Sequence, residues 1–310
     1  MNKTTLLHNL LQDTKQVSII MEAHNGLSAR IAEASGAESI WASGLTISAS
    51  QGLRDANELS WTQVLGILEP MANATNIPIL VDGDTGYGNF NNARIFVKKL
   101  LAIGIAGVVF EDKTFPKLNS FVDAKHQLAD IGEFCGKIKA CKDAIPDQDF
   151  CIVARTEALI ANLGMKEAIC RATQYIDAGA DAVVIHSKKT TPIEILEFCK
   201  KWQQKAPVLI IPTKYEAKPL SQYANLGITA AIFANHLMRA SIKAMRDISR
   251  QIMKHHQSTN LDIATLDELF KLTRMQDLLD DEQKYLTTDH PPSKQSDLSI
   301  PGTAFEQPTH

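Results

Sequence analysis

"LAIGIAGVVFEDKTFPKLNS", residues 101–120, runs from the end of one apolar segment through a glycine joint into a wholly apolar run, and then abruptly into charge. At such a joint Gly104 supplies the left-handed turn that ends a helix, after which the chain continues as a strand. The joint recurs at "EASGAESIWA" (Gly36), "DAGADAVVI" (Gly179) and "NLGITAAIF" (Gly227). Eight short apolar runs go with it: "VSIIMEAHN", "ESIWASG", "IPILVDGDTGYG", "AGVVFEDK", "DFCIVARTEA", "AVVIHSKK", "VLIIPTKY" and "AAIFANH". Between most of them lie stretches of helical spacing, such as "FNNARIFVKKLLAIG" and "GMKEAICRATQYIDAG". Runs that are apolar at every position are buried on both faces, which means a parallel sheet. Eight strands alternating with helices predict an α/β protein, a (β/α)8 TIM-type barrel over residues 1–260; an open doubly wound sheet is the alternative arrangement.

Composition narrows the classes of function. The chain has 310 residues, 45% hydrophobic and 22% charged, with a formal net charge of −3, which is ordinary for a soluble protein with a large core. Near-neutral charge without a dense basic stripe argues against nucleic acid as a partner. No apolar run approaches the ~18 residues of a membrane span, and "MNKTTLLHNLLQDTKQ" lacks the pattern of a signal peptide. The five cysteines (Cys135, Cys141, Cys151, Cys170, Cys199) form no CxxC pair and read as buried free thiols in a reducing cytoplasm. After the eighth run, "HLMRASIKAMRDISRQIMKHHQ" reads as a long helix and "DELFKLTRMQDLLDDEQKYL" as another, in a helical extension over residues 261–285. Residues 286–310, rich in Pro, Ser and Thr, read as a disordered tail.

A barrel of this type carries its active site at the C-terminal ends of its strands. Those ends hold Glu22, His24, Ser43, Asp82, Asp84, Glu111, Asp112, Arg155, Glu157, His186, Thr213, Lys214 and Asn235. In "VDGDTGYG" an extended backbone would point Asp82 and Asp84 the same way, and Glu111 would make three converging carboxylates. Two unit charges about 4 Å apart at an effective dielectric near 20 repel by about 4 kcal/mol, so the cluster calls for a cation. All-oxygen ligands suit Mg²⁺, although one Asp could instead close a turn. Arg155, His186 and Lys117 around the same mouth suggest a small phosphorylated anion, although His186 would as readily be a satisfied structural histidine. In "GLTISASQGLRDANELSW", residues 44–61, small residues could cradle a carboxylate with backbone N–H groups. There "DANE" fits a capping box, Asp55 with Glu58, at the head of a helix, and the spacing alone favours that structural role for Asp55 over catalysis.

Taken together, "EAHNGLSARIAE", "WASGLTISASQGLRDANE", "VDGDTGYGN", "FEDKTFPKLNSF", "VARTEALIA", "IHSKK", "PTKY" and "ANHLMRAS" resemble the phosphoenolpyruvate mutase branch of the isocitrate lyase superfamily, from about residue 17 to residue 285. The carbon–carbon lyases of that superfamily carry a "KKCGH"-type motif with a catalytic cysteine where this chain has "PKLNS", and no cysteine lies between Asp112 and Phe134. The phosphonopyruvate hydrolase pattern has Thr at the position of Asn119. The resemblance therefore implies isomerisation of phosphoenolpyruvate to phosphonopyruvate, with the hydrolase as the alternative and an oxaloacetate or substituted-malate lyase behind it. It implies Mg²⁺ bound directly by Asp82, with Asp84 and Glu111 holding its waters. It places Arg155, His186, Asn119 and Lys117 on the phosphoryl group, and Trp41, Ser43, Gly44 and Leu45 on the pyruvyl part. Asp55 would sit at the transferring phosphorus, which reverses the capping role. "TFPKLNSF" would form a lid in which Phe115, Leu118 and Phe121 exclude water. The resemblance also implies a homotetramer with the last barrel helix packed on a neighbour, and a phosphonopyruvate decarboxylase as pathway partner.

Overall fold

The computed structural model describes residues 2–216, 219–256 and 258–286. The chain divides into two compact units, Met1–Asn260 and Leu261–His310. In the first, the strands β1 (Ser18–Ala23), β2 (Ser39–Ala42), β3 (Ile79–Asp82), β4 (Gly107–Glu111), β5 (Cys151–Thr156), β6 (Ala182–Ile185), β7 (Val208–Ile210) and β8 (Ile228–Phe233) form a closed ring. All neighbours are parallel, and β8 returns to pair with β1, so the open doubly wound alternative does not apply. The glycine joints behave as their sequence required: Gly36, Gly104, Gly179 and Gly227 have φ of 89°, 81°, 107° and 79°.

Helices alternate with the strands: α2 (Gly26–Ala34), α3 (Gly44–Ser50), α4 (Trp61–Ala74), α5 (Phe90–Ala102), α6 (Ile131–Ala144), α7 (Gly164–Asp177), α8 (Ile193–Trp202), the short α9 (Ser221–Ala224) and α10 (His236–His255). Ahead of them, α1 (Lys3–Gln12) sends Leu7 and Leu11, both fully buried, into the cluster that fills the barrel interior with Leu80, Val109, Val153 and Val184. Gly107 makes room for this plug. A Cβ there would stand 2.8 Å from Leu7 Cδ2 and from the Cys151 carbonyl oxygen, closer than real contacts allow. Among the described residues no helix is long and apolar enough to cross a membrane.

Some local expectations give way. The helix after residue 55 begins at Trp61, and its capping box is Ser60 with Gln63, not Asp55 with Glu58. Glu58 instead accepts from the side chain and backbone N–H of Arg54. The helix expected over residues 267–286 is two, α11 (Leu266–Leu272) and α12 (Met275–Tyr285), broken at Arg274 with φ 56°. Just before the break Thr273 Oγ1 donates to the Leu269 carbonyl at 3.0 Å, a back-bond that competes with continued helix. The five cysteines are free, but Cys170 is exposed and Cys135 only partly covered. All but the first residue of the tail expected over residues 286–310 lies outside the described residues.

Candidate active site

The C-terminal ends of the strands surround a cavity with about 440 Å³ of empty space. Trp41 at the end of β2, Ser43 and Leu45 just beyond it, Asp82 closing β3, Glu111 closing β4, Arg155 in β5 and His186 after β6 all line it. Asp55 enters from the loop after α3; Lys117 and Asn119 enter from the segment between β4 and α6. That segment starts and ends pinned: Lys113 bridges Leu128, and Thr114 N–H donates to the Gln127 carbonyl at 3.0 Å.

The charged groups form two linked sets. Lys117 Nζ lies 2.7 Å from Asp55 Oδ1 and 2.7 Å from Asp84 Oδ1, while Asn119 Nδ2 donates to Asp55 Oδ2 at 2.6 Å. Burial alone would raise the Asp55 carboxyl, but the Lys117 charge and the hydrogen bonds from Lys117 and Asn119 hold it below the usual carboxylate range. Asp55 is thus a pinned anion at neutral pH. On the other side Arg155 Nε donates to Glu157 Oε1 at 2.5 Å, and His186 Nδ1 lies 2.9 Å from the same oxygen. Burial, and secondly the Arg155 charge, push the His186 imidazole down, so it is neutral at pH 7. Its Nε2 is buried without a hydrogen-bond partner, as are Trp41 Nε1 and Glu111 Oε1. With Thr213 Oγ1, four unspent polar atoms of cavity residues mark a place for a polar ligand.

Asp82 has no ion-pair partner within 4 Å among the described residues. It accepts two long hydrogen bonds, 3.3 Å from Gly44 N–H and 3.3 Å from Asp84 N–H, and burial raises its pKa. Asp84 is pushed up to about 8, by burial first, against the pull of Lys117. Buried oxygen donors with excess negative charge fit a hard divalent cation. Among the described residues no three His, Cys, Asp or Glu side chains gather tightly enough to hold one directly. Few direct carboxylates and several waters is the coordination that Mg²⁺ prefers.

Three expectations change here. Asp84 does not share a strand face with Asp82: β3 ends at Asp82, and Asp84 sits beyond it at φ 49°. The turn still brings both carboxylates to Gly44, where a Cβ would meet Asp84 Oδ1 at 3.0 Å and Asp82 Oδ2 at 3.3 Å. Asp84 itself turns to Lys117 and Asn57 rather than lining the cavity, and Gly44 N–H faces Asp82 rather than open space. In the lid, only Phe121 of the three expected apolar residues reaches the cavity; Phe115 and Leu118 are 50% and 45% exposed. Leu118, between the inward-drawn Lys117 and Asn119, faces out; alternation does not account for Phe115, which shares the parity of Lys117.

The family model described as phosphoenolpyruvate phosphomutase matches residues 7–253, barrel and site together. The chain belongs to the phosphoenolpyruvate phosphomutase family. It is 51% identical over 287 residues to a phosphoenolpyruvate phosphomutase of Tetrahymena pyriformis, covering 92% of this chain and 95% of that one. Among solved structures it is similar to a phosphoenolpyruvate phosphomutase from Streptomyces platensis subsp. rosaceus, with TM-score 0.90, 41% identity and coverage of 92% and 100%. A phosphonopyruvate hydrolase in complex with oxalate and Mg²⁺ follows at TM-score 0.87 and 38% identity, with coverage of 93% and 100%.

Within this family site, sequence reasoning missed Asn57, Ser120, Lys113 and the use of Glu157. Asn57 Nδ2 donates to Asp84 Oδ2 at 2.7 Å while its Oδ1 accepts from Lys117 N–H at 2.7 Å, stitching the α3 loop to the lid. No local spacing signals that contact. Glu157 and Lys113 had a usable signal, since each stands two residues beyond a mouth residue, Arg155 or Glu111, on extended backbone.

Proposed function

We infer that this chain catalyses the interconversion of phosphoenolpyruvate and phosphonopyruvate, breaking the enol O–P bond and forming a C3–P bond, or the reverse. The observation that carries the reading is the clamp on Asp55: one carboxylate held ionised by Lys117 and Asn119 of the lid, facing Arg155 and a neutral His186 across a covered cavity. Phosphoryl transfer has a loose transition state, so positioning and charge neutralisation supply most of the catalysis. Arg155, Lys117 and Asn119 present donors to the phosphoryl oxygens, and Asp55 stands beside the phosphorus as it moves. Trp41, Ser43 and Leu45 hold the pyruvyl part while it turns. The lid keeps water from the phosphorus, without which hydrolysis would compete. Among the described residues no cysteine lines the cavity, so the thiol acid of the carbon–carbon lyases has no counterpart there.

Asp82 would hold Mg²⁺ directly, with Asp84 and Glu111 on its waters. Bound there, the ion supplies a positive charge that stabilises the enolate oxygen. Titration calorimetry with Mg²⁺ should show binding to the native chain and its loss in Asp82→Ala. The amphipathic α10 exposes Ile242, Met245, Ile252 and Met253 in one stripe, which supports a homotetramer in which this helix seats on a neighbouring copy. Because C–P bond formation runs uphill, a cytoplasmic decarboxylase that consumes phosphonopyruvate is the pathway partner. The deciding experiment is phosphorus NMR with Mg²⁺ and phosphonopyruvate. A phosphonate signal converting to that of a phosphate ester is the expected result; accumulating free phosphate would make the chain a hydrolase.

A further inference from the structure

Glu157 is fully buried one residue past the end of β5, and it lies behind the cavity rather than in its lining. Its two oxygens face two different machines. Oε1 takes Arg155 Nε at 2.5 Å and stands 2.9 Å from His186 Nδ1, the two groups assigned to the phosphoryl. Oε2 takes Ser120 Oγ at 2.6 Å and lies 3.2 Å from Lys113 Nζ, the two groups that anchor the lid. A carboxylate has about four lone-pair positions; Arg155 Nε, Ser120 Oγ and Lys113 Nζ fill three, and His186 Nδ1, which also lies 2.8 Å from the donor Arg155 Nη2, fills the fourth in the tautomer that carries its proton there.

Ser120 is equally committed. Its hydroxyl receives Lys113 Nζ at 2.7 Å and Arg155 Nη2 at 3.0 Å, and both of those are donors only. The single hydroxyl proton must therefore go to Glu157. Lys113, itself buried, also holds the Leu118 carbonyl at 2.9 Å, next to the inward-facing Asn119. The backbone of Glu157 is fixed from behind, where its N–H donates to Asp112 Oδ1 at 2.8 Å; Asp112 in turn is held by Tyr175 and Arg171. An acceptor so braced transmits displacement instead of absorbing it.

We propose that Glu157 is a positioning residue that couples lid closure to the alignment of Arg155 and His186, through Ser120 and Lys113. With the lid shut, Ser120 occupies Oε2 and the guanidinium and imidazole are drawn to Oε1. With the lid lifted, Oε2 and the Arg155 Nη2 lose their shared hydroxyl, and both phosphoryl-binding groups lose register. The transfer machinery is thus complete only when water is shut out. This coupling rests on the mutase reading for its use, but its geometry can be tested without turnover.

Trypsin cleavage after the exposed Lys125 reports lid opening in the full-length protein, and the rate of phosphonopyruvate isomerisation reports alignment. Ser120→Ala and Glu157→Gln should each speed cleavage by about fivefold or more and lower kcat by about tenfold or more, with phosphate appearing beside the ester product. Ser120→Thr, which keeps the hydroxyl, should restore both. The double variant should lose no more than the worse single one, because both act through one contact. Multiplying losses would overturn the coupling, as would a kcat loss with lid cleavage unchanged. If Glu157→Gln does not fold by circular dichroism, the Ser120 pair decides alone: native cleavage and native kcat in Ser120→Ala overturn the proposal. Absence of isomerisation by the native chain would remove the mutase reading, while the cleavage result would still stand or fall by itself.

Discussion

At its N-terminal end the barrel is stoppered by α1, whose Leu7 and Leu11 sit fully buried among Leu80, Val109 and Val153. At its C-terminal end the same strands lead to Asp82, which is half-buried, and to Glu111, Arg155 and Glu157, which are nearly or equally as deeply covered. Packing at the first end is close and apolar, and it stabilises the fold through area removed from water. The second end holds buried like charges and unpaired polar atoms, which cost stability and persist where a ligand uses them. The two ends show how one scaffold separates what holds it together from what it does.

Substitution at Asp55 should break that comparison open most widely. Asp55→Ala should lower the rate of phosphonopyruvate isomerisation about a thousandfold or more, roughly 4 kcal/mol in the barrier, with the melting temperature little changed because Lys117 keeps Asp84. A loss of less than about tenfold would return Asp55 to a structural role. Leu7→Ala is the converse. It should cost about 2–5 kcal/mol in chemical denaturation while each folded molecule turns over normally. A kcat defect there would show that the ends are not independent.

The sequence carried these two ends unequally. The strands are legible because glycine joints and unbroken apolar runs are local signals, and Asp82, Glu111, Arg155 and His186 follow from the rule that strand ends carry the chemistry; the α1 stopper was not read from "MNKTTLLHNLLQDTKQ". Asp55 could not be read that way. Its partner Asn119 lies 64 positions away, while "DANE" offers a plausible cap at short range; the cap belongs to Ser60 and Gln63 instead. The lid failed similarly. Apolar Phe115 and Leu118 suggested inward-facing residues, but which side chains turn in is set by Asn57 holding Lys117 N–H and by Lys113 holding the Leu118 carbonyl. Long-range hydrogen bonds of that kind leave no periodicity behind.

Asn119→Ala tests the lid at smaller amplitude. It removes one of the donors that pin Asp55 and one of those offered to the phosphoryl, so kcat should fall by about 10- to 100-fold and free phosphate should appear among the products in phosphorus NMR. A loss under about threefold would leave a polar surface loop in place of a lid.

The smallest effect is a pH dependence that belongs to the mouth alone. His186 is surrounded by Arg155, Glu157, Lys113 and the edge of the Phe121 ring, and its pKa in the folded chain is lowered by burial first and by the Arg155 charge second, against Glu157. In the unfolded chain it returns to about 6.5. Between the folded value and about 6.5 the unfolded state therefore binds more protons, and stability must fall as pH falls through that window. One such group gives a slope of at most about 1.4 kcal/mol per pH unit. Urea unfolding of the native chain and of His186→Asn, compared at about pH 7.5 and about pH 5.5, should show the native chain losing more over that interval. Equal losses would mean that the imidazole is not held neutral, and that Glu157 rather than burial governs its charge.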